Sequence, residues 1–574
     1  MVAKKKYKKS KRKKLSPEER KALALKRAHI NLVRSVFRNT GFKRYPKLAD
    51  KEFTLGGLIT SDFDDVYCYE NLLVCIEYTT SKSDQVGDHL KKKKIVYDKV
   101  ADDKESLINA FCDLDEDFKA EITASYNLDE LVVRCLYCSR NDFAQKYKDI
   151  AFNANYLDYP ELRYFKSLTD CIKKSALPEL IDFLGVQLKD LGADGNVSAH
   201  ATSKSFQATV LPEANSNFDK GFKVVTFYAD PETLLEQAYV LRRQGWRDSE
   251  SVYQRMISKA KIDQIRRHLK SKKRVFVNNI IATLDDETKL LDEDGNTVDP
   301  KKIIKTETVN LLLPNKINTV GLIDGQHRTF SYYVSNPDDA EIAKLRKRQN
   351  LLVTGIIYPT GKSARDREAF EARLFLEINS TQTNAKSDLK QAINRIVDPF
   401  SDESIASTVV ERLGRGSGPL SGQIVRHWFD TDKLKTTSIV SYGMKPLTKT
   451  TGTDSIFSLW SNPNKAKLKE LNDTALLDDY IKYCCDTINE FLIAVRKSLP
   501  AGTWSPNRRN SGLLSTTVIN SLLICFRFII ENGKTGDTAY YESNLAGLTP
   551  KSFEGFHSSQ YGKLAERLYE DHFK

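Results

Sequence analysis

Apolar residues in the first third of the chain fall into short strand-like runs that flank a polar helix. Residues 64–79 carry two such runs on either side of Glu70-Asn71, which predicts a β-hairpin with those two residues as its loop. A polar helix is expected over residues 84–99, and an apolar run at residues 131–138 predicts the next strand. This order predicts an α/β domain.

Further along, strand-like and helix-like patterns alternate and then give way to helices alone. The expected strands are 223–228, 275–284, 318–323 and 351–358, and the expected helices are 231–241, 259–270 and 363–377. The sequence therefore predicts an α/β multidomain protein. Its predicted parts are an arm (1–28), an α/β domain (29–190), a Gly-, Ser- and Asn-rich linker (191–222), an α+β domain (223–395) and a mainly helical C-terminal region (396–574).

The predicted hairpin brings acidic residues together. If the loop is Glu70-Asn71, residue 69 pairs with residue 72, and Asp64 stands opposite Glu77. Adjacent carboxylates repel each other unless a cation lies between them. Asp64, Asp65 and Glu77 are therefore candidate ligands of Mg²⁺ or Mn²⁺.

A second candidate site is the run Asp324-Gly325-Gln326-His327-Arg328, where a strand is expected to end and a helix to begin. Asp324 is expected to cap that helix, and Gly325 permits a tight turn close to a ligand. His327 and Arg328 add donors to the helix N-terminus, and Gln326 adds a polar group. The pattern predicts a phosphate or nucleotide cradle. The alternative is a capped helix start with exposed polar residues.

Charge is concentrated at the N-terminus. The net charge is +13, whereas residues 1–27 hold thirteen Lys or Arg and two Glu, a local balance of +11, so the rest of the chain carries about +2 (13 − 11). We expect residues 1–14 to be disordered when free and a helix to start at Pro17, with Ser16 as its cap and Glu19 three residues after the cap. The arm is expected to bind nucleic-acid phosphates. Its candidate residues are Lys4, Lys5, Lys6, Lys8, Lys9, Lys11, Arg12, Lys13 and Lys14. The alternative is a solubility or targeting tail.

Other classes of protein are disfavoured by the pattern. The sequence contains no run of eighteen apolar residues, which is about the length needed to span a membrane. The basic N-terminus lacks the apolar stretch of a signal peptide. Nine cysteines lie among apolar neighbours, as expected for reduced thiols in a cytoplasmic protein. Cys135 and Cys138 have metal-like spacing, but in a strand their thiols face opposite sides.

The central run resembles the motif of the DGQHR-domain family, which includes DndB-like proteins of DNA sulfur-modification systems and has a ParB/sulfiredoxin-like fold. Tyr253-Gln254-Arg255 and the run Phe375 to Gln382 also resemble that family's segments. The resemblance implies nucleotide binding by Gly325, Arg255, Asn379 and Gln382. It also implies ATP hydrolysis with Mg²⁺ by Asp324, Gln326, His327 and Arg328.

The hairpin region resembles the PD-(D/E)xK restriction-endonuclease-like fold. That resemblance implies a metal-dependent nuclease with Asp65, Glu77 and a lysine as catalytic residues. Thr79 stands where the family has its lysine. Lys82 is the expected substitute, or else His89 and Lys92 from the following helix. The alternatives are a degenerate domain that only binds DNA and an ordinary hairpin with solvated carboxylates.

Taken together, the two resemblances imply a DNA-associated protein of a bacterial DNA-modification or antiphage defence system. The expected activity is ATP binding and hydrolysis at the DGQHR motif while the protein engages DNA. One alternative is a metal-dependent endonuclease, and another is a non-enzymatic, DndB-like transcriptional regulator. The expected partners are DNA, a nucleotide and other proteins of a modification or restriction operon.

Overall fold

The structure is a computed structural model that describes residues 16–57, 59–81, 86–141, 145–187, 190–192, 204–242, 246–247, 254–299, 302–382, 387–427, 429–468, 470, 473–507, 512–557 and 559–574. The chain divides into two compact units. The first comprises residues 1–240 and 256–361, and the second comprises residues 241–255 and 362–574. Mixed α/β structure followed by a helical C-terminal region confirms the predicted fold class at that level.

The first unit begins with helices packed on a five-stranded sheet. These elements are α1 (Pro17–Thr40), β1 (Lys43–Arg44), β2 (Phe53–Leu55), β3 (Ile59–Ser61), β4 (Asp65–Tyr69), β5 (Leu72–Thr79), α2 (Val86–Asp102), α3 (Lys104–Leu114), α4 (Glu116–Ser125), β6 (Val132–Ser139), α5 (Gln145–Ile150), β7 (Asn155–Leu157), α6 (Tyr159–Ile172) and α7 (Leu177–Phe183). Short 3-10 turns lie at Leu128–Glu130 and Lys173–Ala176. The strand order of the five-stranded sheet is β1-β4-β5-β6-β7, and β2 and β3 form a separate two-stranded sheet.

Strand β5 lies at the centre of this sheet and is buried along its whole length. It pairs antiparallel with β4 and parallel with β6. Tyr69 pairs with Leu72, which confirms the predicted two-residue loop. Apolar residues of α2, α3 and α4 cover one face of the sheet. On the other face, Phe37 of α1 stacks on Tyr67 at 4.8 Å between ring centroids.

The rest of the first unit forms an eight-stranded sheet in the order β10-β14-β11-β15-β9-β8-β13-β12. Its elements are β8 (Lys204–Leu211), α8 (Glu213–Ser216), β9 (Lys223–Ala229), α9 (Pro231–Gln237), β10 (Ala238–Tyr239), α10 (Lys259–Lys272), β11 (Ile280–Leu284), β12 (Lys289–Leu291), β13 (Glu307–Leu313), β14 (Val320–Asp324), α11 (Gln326–Phe330), α12 (Ala340–Arg348) and β15 (Leu351–Ile357).

The segment expected to be a linker, residues 191–222, contains strand β8, so that expectation was wrong. Strand β8 pairs with both β9 and β13 inside the sheet. Ala208 and Val210 are buried whereas Gln207 and Thr209 are exposed, which is the period-two pattern of a half-buried strand. The polar composition around the strand concealed this alternation.

The second unit is helical. Its elements are α13 (Ala364–Gln382), α14 (Ser387–Val397), α15 (Asp402–Arg415), α16 (Thr436–Ser438), a π-helical segment (Ile439–Met444), α17 (Lys445–Thr448), α18 (Ile456–Leu459), α19 (Thr474–Lys497), α20 (Thr516–Glu531), α21 (Thr538–Asn544) and α22 (Tyr561–His572), with 3-10 turns at Lys465–Lys467 and Pro550–Phe553. Helix α20 is buried along most of its length, as its apolar sequence predicts. Within the described part of the chain, no helix has the length and apolar character needed to cross a membrane.

Candidate active site

The β4–β5 hairpin places Asp64 and Glu77 side by side at one end of the first sheet. Asp65 pairs with Ile76, so the preceding Asp64 lies opposite Glu77, as the sequence predicts. One oxygen of Asp64, Oδ2, accepts a hydrogen bond from the backbone N–H of Tyr78 at 2.7 Å. The other oxygen of Asp64 and Oε2 of Glu77 accept no hydrogen bond from any described residue.

Helix α2 supplies a lysine to this pair. Nζ of Lys93 lies 2.5 Å from Oε1 of Glu77, and it also donates to the Asp62 backbone oxygen at 2.7 Å and to Oδ1 of Asp62 at 3.0 Å. The side chains of Lys93 and Glu77 are only 11% and 5% exposed. The ammonium group is therefore held between two carboxyl groups and shielded from water.

The lysine that α2 supplies is Lys93 and not Lys92, the alternative expected from this helix. Lys92 is exposed, and Lys93 is the residue that faces the sheet. The sequence contains a signal for this, because the positions Val86, Leu90, Lys93, Tyr97 and Val100 follow the three- and four-residue spacing of a buried helix face. A lysine within an otherwise apolar stripe requires a buried acidic partner.

Burial dominates the electrostatics of the site. It raises the pKa of Glu77 to about 8, although the nearby Lys93 ammonium opposes that rise. Burial also raises the pKa of Asp64, and Lys26 of α1 opposes it. Burial alone would lower the pKa of Lys93, but Glu77 and Asp62 hold it above its ordinary value. Lys93 is therefore protonated, and the Glu77 carboxyl beside it loses its proton less readily than an exposed glutamate. Binding of a further cation would favour the ionised form of Glu77.

His89, the other residue expected from this helix, contacts Tyr137 instead of the carboxylates. Its Nδ1 lies 3.1 Å from the Tyr137 hydroxyl. Burial, and then the positive charge of Lys93, lower the pKa of His89. The imidazole is therefore neutral at pH 7 and carries no positive charge toward the site.

Asp65 lies on the opposite face of the sheet, which corrects its expected place beside Glu77. It is fully buried, and Arg34 donates to both of its oxygens, at 2.7 and 3.2 Å. Arg44 and the Tyr78 hydroxyl donate to it as well, at 2.5 and 2.8 Å. With its acceptor positions used in this way, Asp65 is a brace for two arginines and is not available to a metal ion.

The Asp324–Arg328 motif forms the predicted strand–turn–helix. Strand β14 ends at Asp324, Gly325 has φ +102°, and α11 follows. A Cβ atom at Gly325 would lie 2.5 Å from Cδ1 of Ile280, so the turn requires glycine. Gly325 itself is the N-cap residue, and no side chain caps the helix. The expected cap by Asp324 is therefore wrong, and Oδ1 of Asp324 instead accepts from the Gly325 N–H at 2.8 Å.

The motif's charged side chains make contacts within the first unit. Nη2 of Arg328 donates to Oδ2 of Asp324 at 3.0 Å and to the Asn279 carbonyl at 2.9 Å. Nε2 of His327 accepts from the backbone N–H of Ser258 at 3.1 Å. Gln326 is half-buried at the first position of α11. These contacts fix β14, α11 and the start of β11 to one another.

Two buried arginines secure the chain directly after α11. Arg266 of α10 donates to the carbonyls of Ser331 and Tyr333, at 3.0 and 3.2 Å. Arg346 of α12 donates to the carbonyls of Tyr332 and Tyr333, at 2.8 and 3.1 Å. The backbone that follows the motif is therefore held by two guanidinium groups, and the motif occupies a rigid position.

The remaining predicted site residues lie elsewhere. Arg255 is exposed and belongs to the second unit, as does Asn379, whose side-chain amide donates to the Phe375 carbonyl of its own helix at 2.8 Å. Gln382 ends α13, and its side chain lies outside the described residues. Lys82 and the nine basic residues between Lys4 and Lys14 also lie outside them.

The residues available to a metal ion are few. Among the residues that the structure describes, no three His, Cys, Asp or Glu side chains form a metal-binding group. Asp64 and Glu77 supply two carboxylates, each with an oxygen that no described residue uses. Mg²⁺ is often held in proteins by one or two carboxylates, with water and substrate oxygens completing its coordination. The donor set fits such an ion.

In comparisons with known proteins, no family model, no curated protein and no solved structure matches the chain.

The adjacent residues Asp64 and Asp65 should respond oppositely to the same isosteric change. Asp65→Asn leaves Arg34 and Arg44 facing a neutral amide, and we expect it to lower the free energy of unfolding by about 2 kcal/mol. The folded-state pKa of Asp64 is raised, so its ionised form opposes folding at pH 7. Asp64→Asn should therefore leave stability unchanged or slightly increased.

Urea titration followed by far-UV circular dichroism measures both effects. Trp246, Trp428, Trp460 and Trp504 all belong to the second unit, so tryptophan fluorescence monitors that unit separately. Equal destabilisation by the two substitutions would contradict the assignment of Asp65 as a brace.

Proposed function

We propose that the first unit is a divalent-metal-dependent phosphodiesterase that cleaves DNA. The observation that carries this proposal is the buried Lys93–Glu77 pair beside Asp64, at the end of a sheet in which β5 joins an antiparallel hairpin to a parallel strand. Two carboxylates and a lysine are the residue types that the PD-(D/E)xK resemblance implies. Here the lysine comes from helix α2 rather than from the strand.

In the proposed mechanism, Asp64 and Glu77 would hold Mg²⁺ or Mn²⁺ through the oxygens that no described residue uses. The bound ion would lower the pKa of a coordinated water molecule and polarise the phosphoryl oxygen. Asp62 orients Lys93, whose ammonium then carries positive charge toward the phosphate, where negative charge develops. Water adds to phosphorus, one phosphorus–oxygen bond of the backbone breaks, and the leaving oxygen takes up a proton.

Cleavage should depend on Glu77 and Lys93 and not on the neighbouring lysine. Glu77→Gln removes a ligand charge and Lys93→Met removes the buried ammonium, so each should lower the cleavage rate by at least about 100-fold. Lys92→Met, which removes an exposed ammonium from the same helix, is the matched control and should retain wild-type activity.

The measurement is the conversion of supercoiled plasmid with Mg²⁺ or Mn²⁺, using variants whose circular dichroism matches the wild type. Absence of cleavage by the wild-type protein with either ion would refute the proposal. Full activity of the Lys93→Met variant would show that Lys93 has no role in cleavage.

Metal binding should become tighter as the pH rises. Below about pH 8 the Glu77 carboxyl is mainly protonated, so an incoming cation must displace a proton. We expect the Mn²⁺ affinity to rise by up to about tenfold per pH unit between pH 6 and 8, and to level off above that range.

Calorimetric titration in two buffers with different ionisation enthalpies counts the released protons. Glu77→Gln should reduce their number by about one at pH 7. A pH-independent affinity in the wild-type protein would contradict the raised pKa of Glu77.

Nucleotide binding and hydrolysis at the Asp324–Arg328 motif is the second candidate function. The observation that favours it is Nε of Arg328, which is buried and has no acceptor among the described residues. Arg328→Lys retains the positive charge but lacks the Nε–H, so it should lower phosphate release from ATP, measured with Mg²⁺ and with or without DNA. Undiminished release would refute this role.

If neither ATP turnover nor DNA cleavage occurs, the non-enzymatic regulator is the function that remains.

A further inference from the structure

Helix α1 consists of an exposed half and a packed half. Every residue from 16 to 28 is exposed, whereas His29, Val33, Val36, Phe37 and Thr40 are buried. The exposed half is well formed, because Ser16 and Glu19 make a reciprocal capping box and Pro17 occupies the first turn. More than three turns of this helix therefore present all their side chains outward.

Arginines recur along one face of α1. Arg20, Arg27 and Arg34 are seven residues apart, and Arg38 follows four residues later. Seven residues make nearly two turns, so these arginines share one face of the helix. Arg20, Arg27 and Arg34 follow one another at intervals of about 10.5 Å along the helix axis. The buried residues of the packed half lie on the other side of the helix, so Arg20, Arg27 and Arg38 are exposed, whereas the Arg34 side chain reaches the buried carboxylate of Asp65.

No acidic residue of α1 lies within the row. The acidic residues of α1 are Glu18 and Glu19, both in the first turn, where they complement the helix dipole. The positions between the arginines on the same face are Leu23, Ala24 and Asn31. The row is therefore a continuous cationic stripe about 27 Å long from Arg20 to Arg38.

The exposed half has no apolar face to dock against a membrane or a hydrophobic groove. Its two large apolar residues, Leu23 and Leu25, are 38% and 43% exposed. They are two positions apart and so point in nearly opposite directions, about 200° around the axis. Charge rather than apolar area is what this helix offers to a partner.

The stripe is reinforced where it reaches the body of the unit. Asp65 braces Arg34 and also Arg44, so two guanidinium groups share one buried carboxylate and keep a net positive charge. Nη1 of Arg34 and both Nη groups of Arg44 donate to no described residue. The brace therefore holds two guanidinium groups in place and leaves donors available for an anion.

We propose that α1 binds the phosphate backbone of double-stranded DNA through Arg20, Arg27, Arg34 and Arg38, with Arg44 beside Arg34. Charge complementarity selects this partner, since the stripe contains four arginines, no acidic residue and one large apolar residue, Leu23. Each 10.5 Å step along the helix corresponds to about three base pairs of duplex rise. The stripe thus anchors the DNA that flanks the Asp64–Glu77 site, an inference that rests on the proposed function.

The test removes two charges from the exposed half. Arg20→Gln combined with Arg27→Gln keeps good helix-forming residues in place. The matched control, Lys347→Gln combined with Arg348→Gln, removes two charges from exposed positions of α12 in the same unit. Both pairs are introduced into the full chain carrying Glu77→Gln, which prevents cleavage, and the N-terminal arm is retained.

Binding is measured by fluorescence anisotropy of a labelled 30-base-pair duplex between 50 and 300 mM KCl. The Arg20/Arg27 variant should lose at least about tenfold in affinity at 100 mM KCl, and the slope of log K against log [KCl] should become shallower by about 1.8, or 0.9 for each lost phosphate contact. The control pair should change neither quantity.

An unchanged slope in the Arg20/Arg27 variant would overturn the proposal. Arginine-dependent binding that is stronger to duplex RNA, or to vesicles with 30% anionic lipid, would also overturn it by assigning the stripe to another partner. If the wild-type protein fails to cleave plasmid while the arginine-dependent slope is observed, only the proposed nuclease activity is refuted.

Discussion

The register of the β4–β5 hairpin determines which charged groups meet in the first unit. Because successive strand residues point to opposite faces, a slip of one residue would exchange every inward and outward side chain. The observed pairing of Tyr69 with Leu72 sends Asp65 toward α1 and Glu77 toward α2. Both the brace and the candidate active site therefore depend on a two-residue loop.

The two buried carboxylates on either side of this sheet are stabilised differently. Asp65 meets two guanidinium groups and a hydroxyl, so its charge is fully compensated. Glu77 meets one ammonium, and burial raises its pKa to about 8. A compensated carboxylate holds structure together, whereas an undercompensated one is suited to receive a cation. This contrast is the physical basis for assigning the chemistry to Glu77.

The Asp324–Arg328 motif illustrates how a candidate binding sequence is also used to build the fold. Its glycine permits a turn that Ile280 would otherwise obstruct, and its arginine ties the turn to β11. Arg266 and Arg346 then fix the following backbone. A rigid turn of this kind is a suitable support for a ligand, and it is equally a means of joining a strand to a helix.

Much of the local structure was determined by the sequence itself. The pattern of apolar and polar residues located the β4–β5 hairpin, α2 and β6, since burial of one face requires a regular spacing. The loop at Glu70-Asn71 and the helix cap at Ser16 could also be predicted, because turn and cap residues interact with neighbours only a few positions away. The pairing of Asp64 with Glu77 followed directly from that loop.

Only the tertiary structure decided which residues share a site. Strand β8 was missed because its partners β9 and β13 are set by long-range pairing, which local composition does not encode. Lys93, and not the alternative Lys92, contacts Glu77 because the packing of α2 on the sheet selects one face of the helix. Asp65 does not belong to the predicted metal site, because Arg34 of α1 and Arg44 of β1 bind its carboxylate on the opposite face of the sheet. Sequence fixes periodicity and turns through local forces, whereas the partner of a buried charge depends on which distant element packs against it.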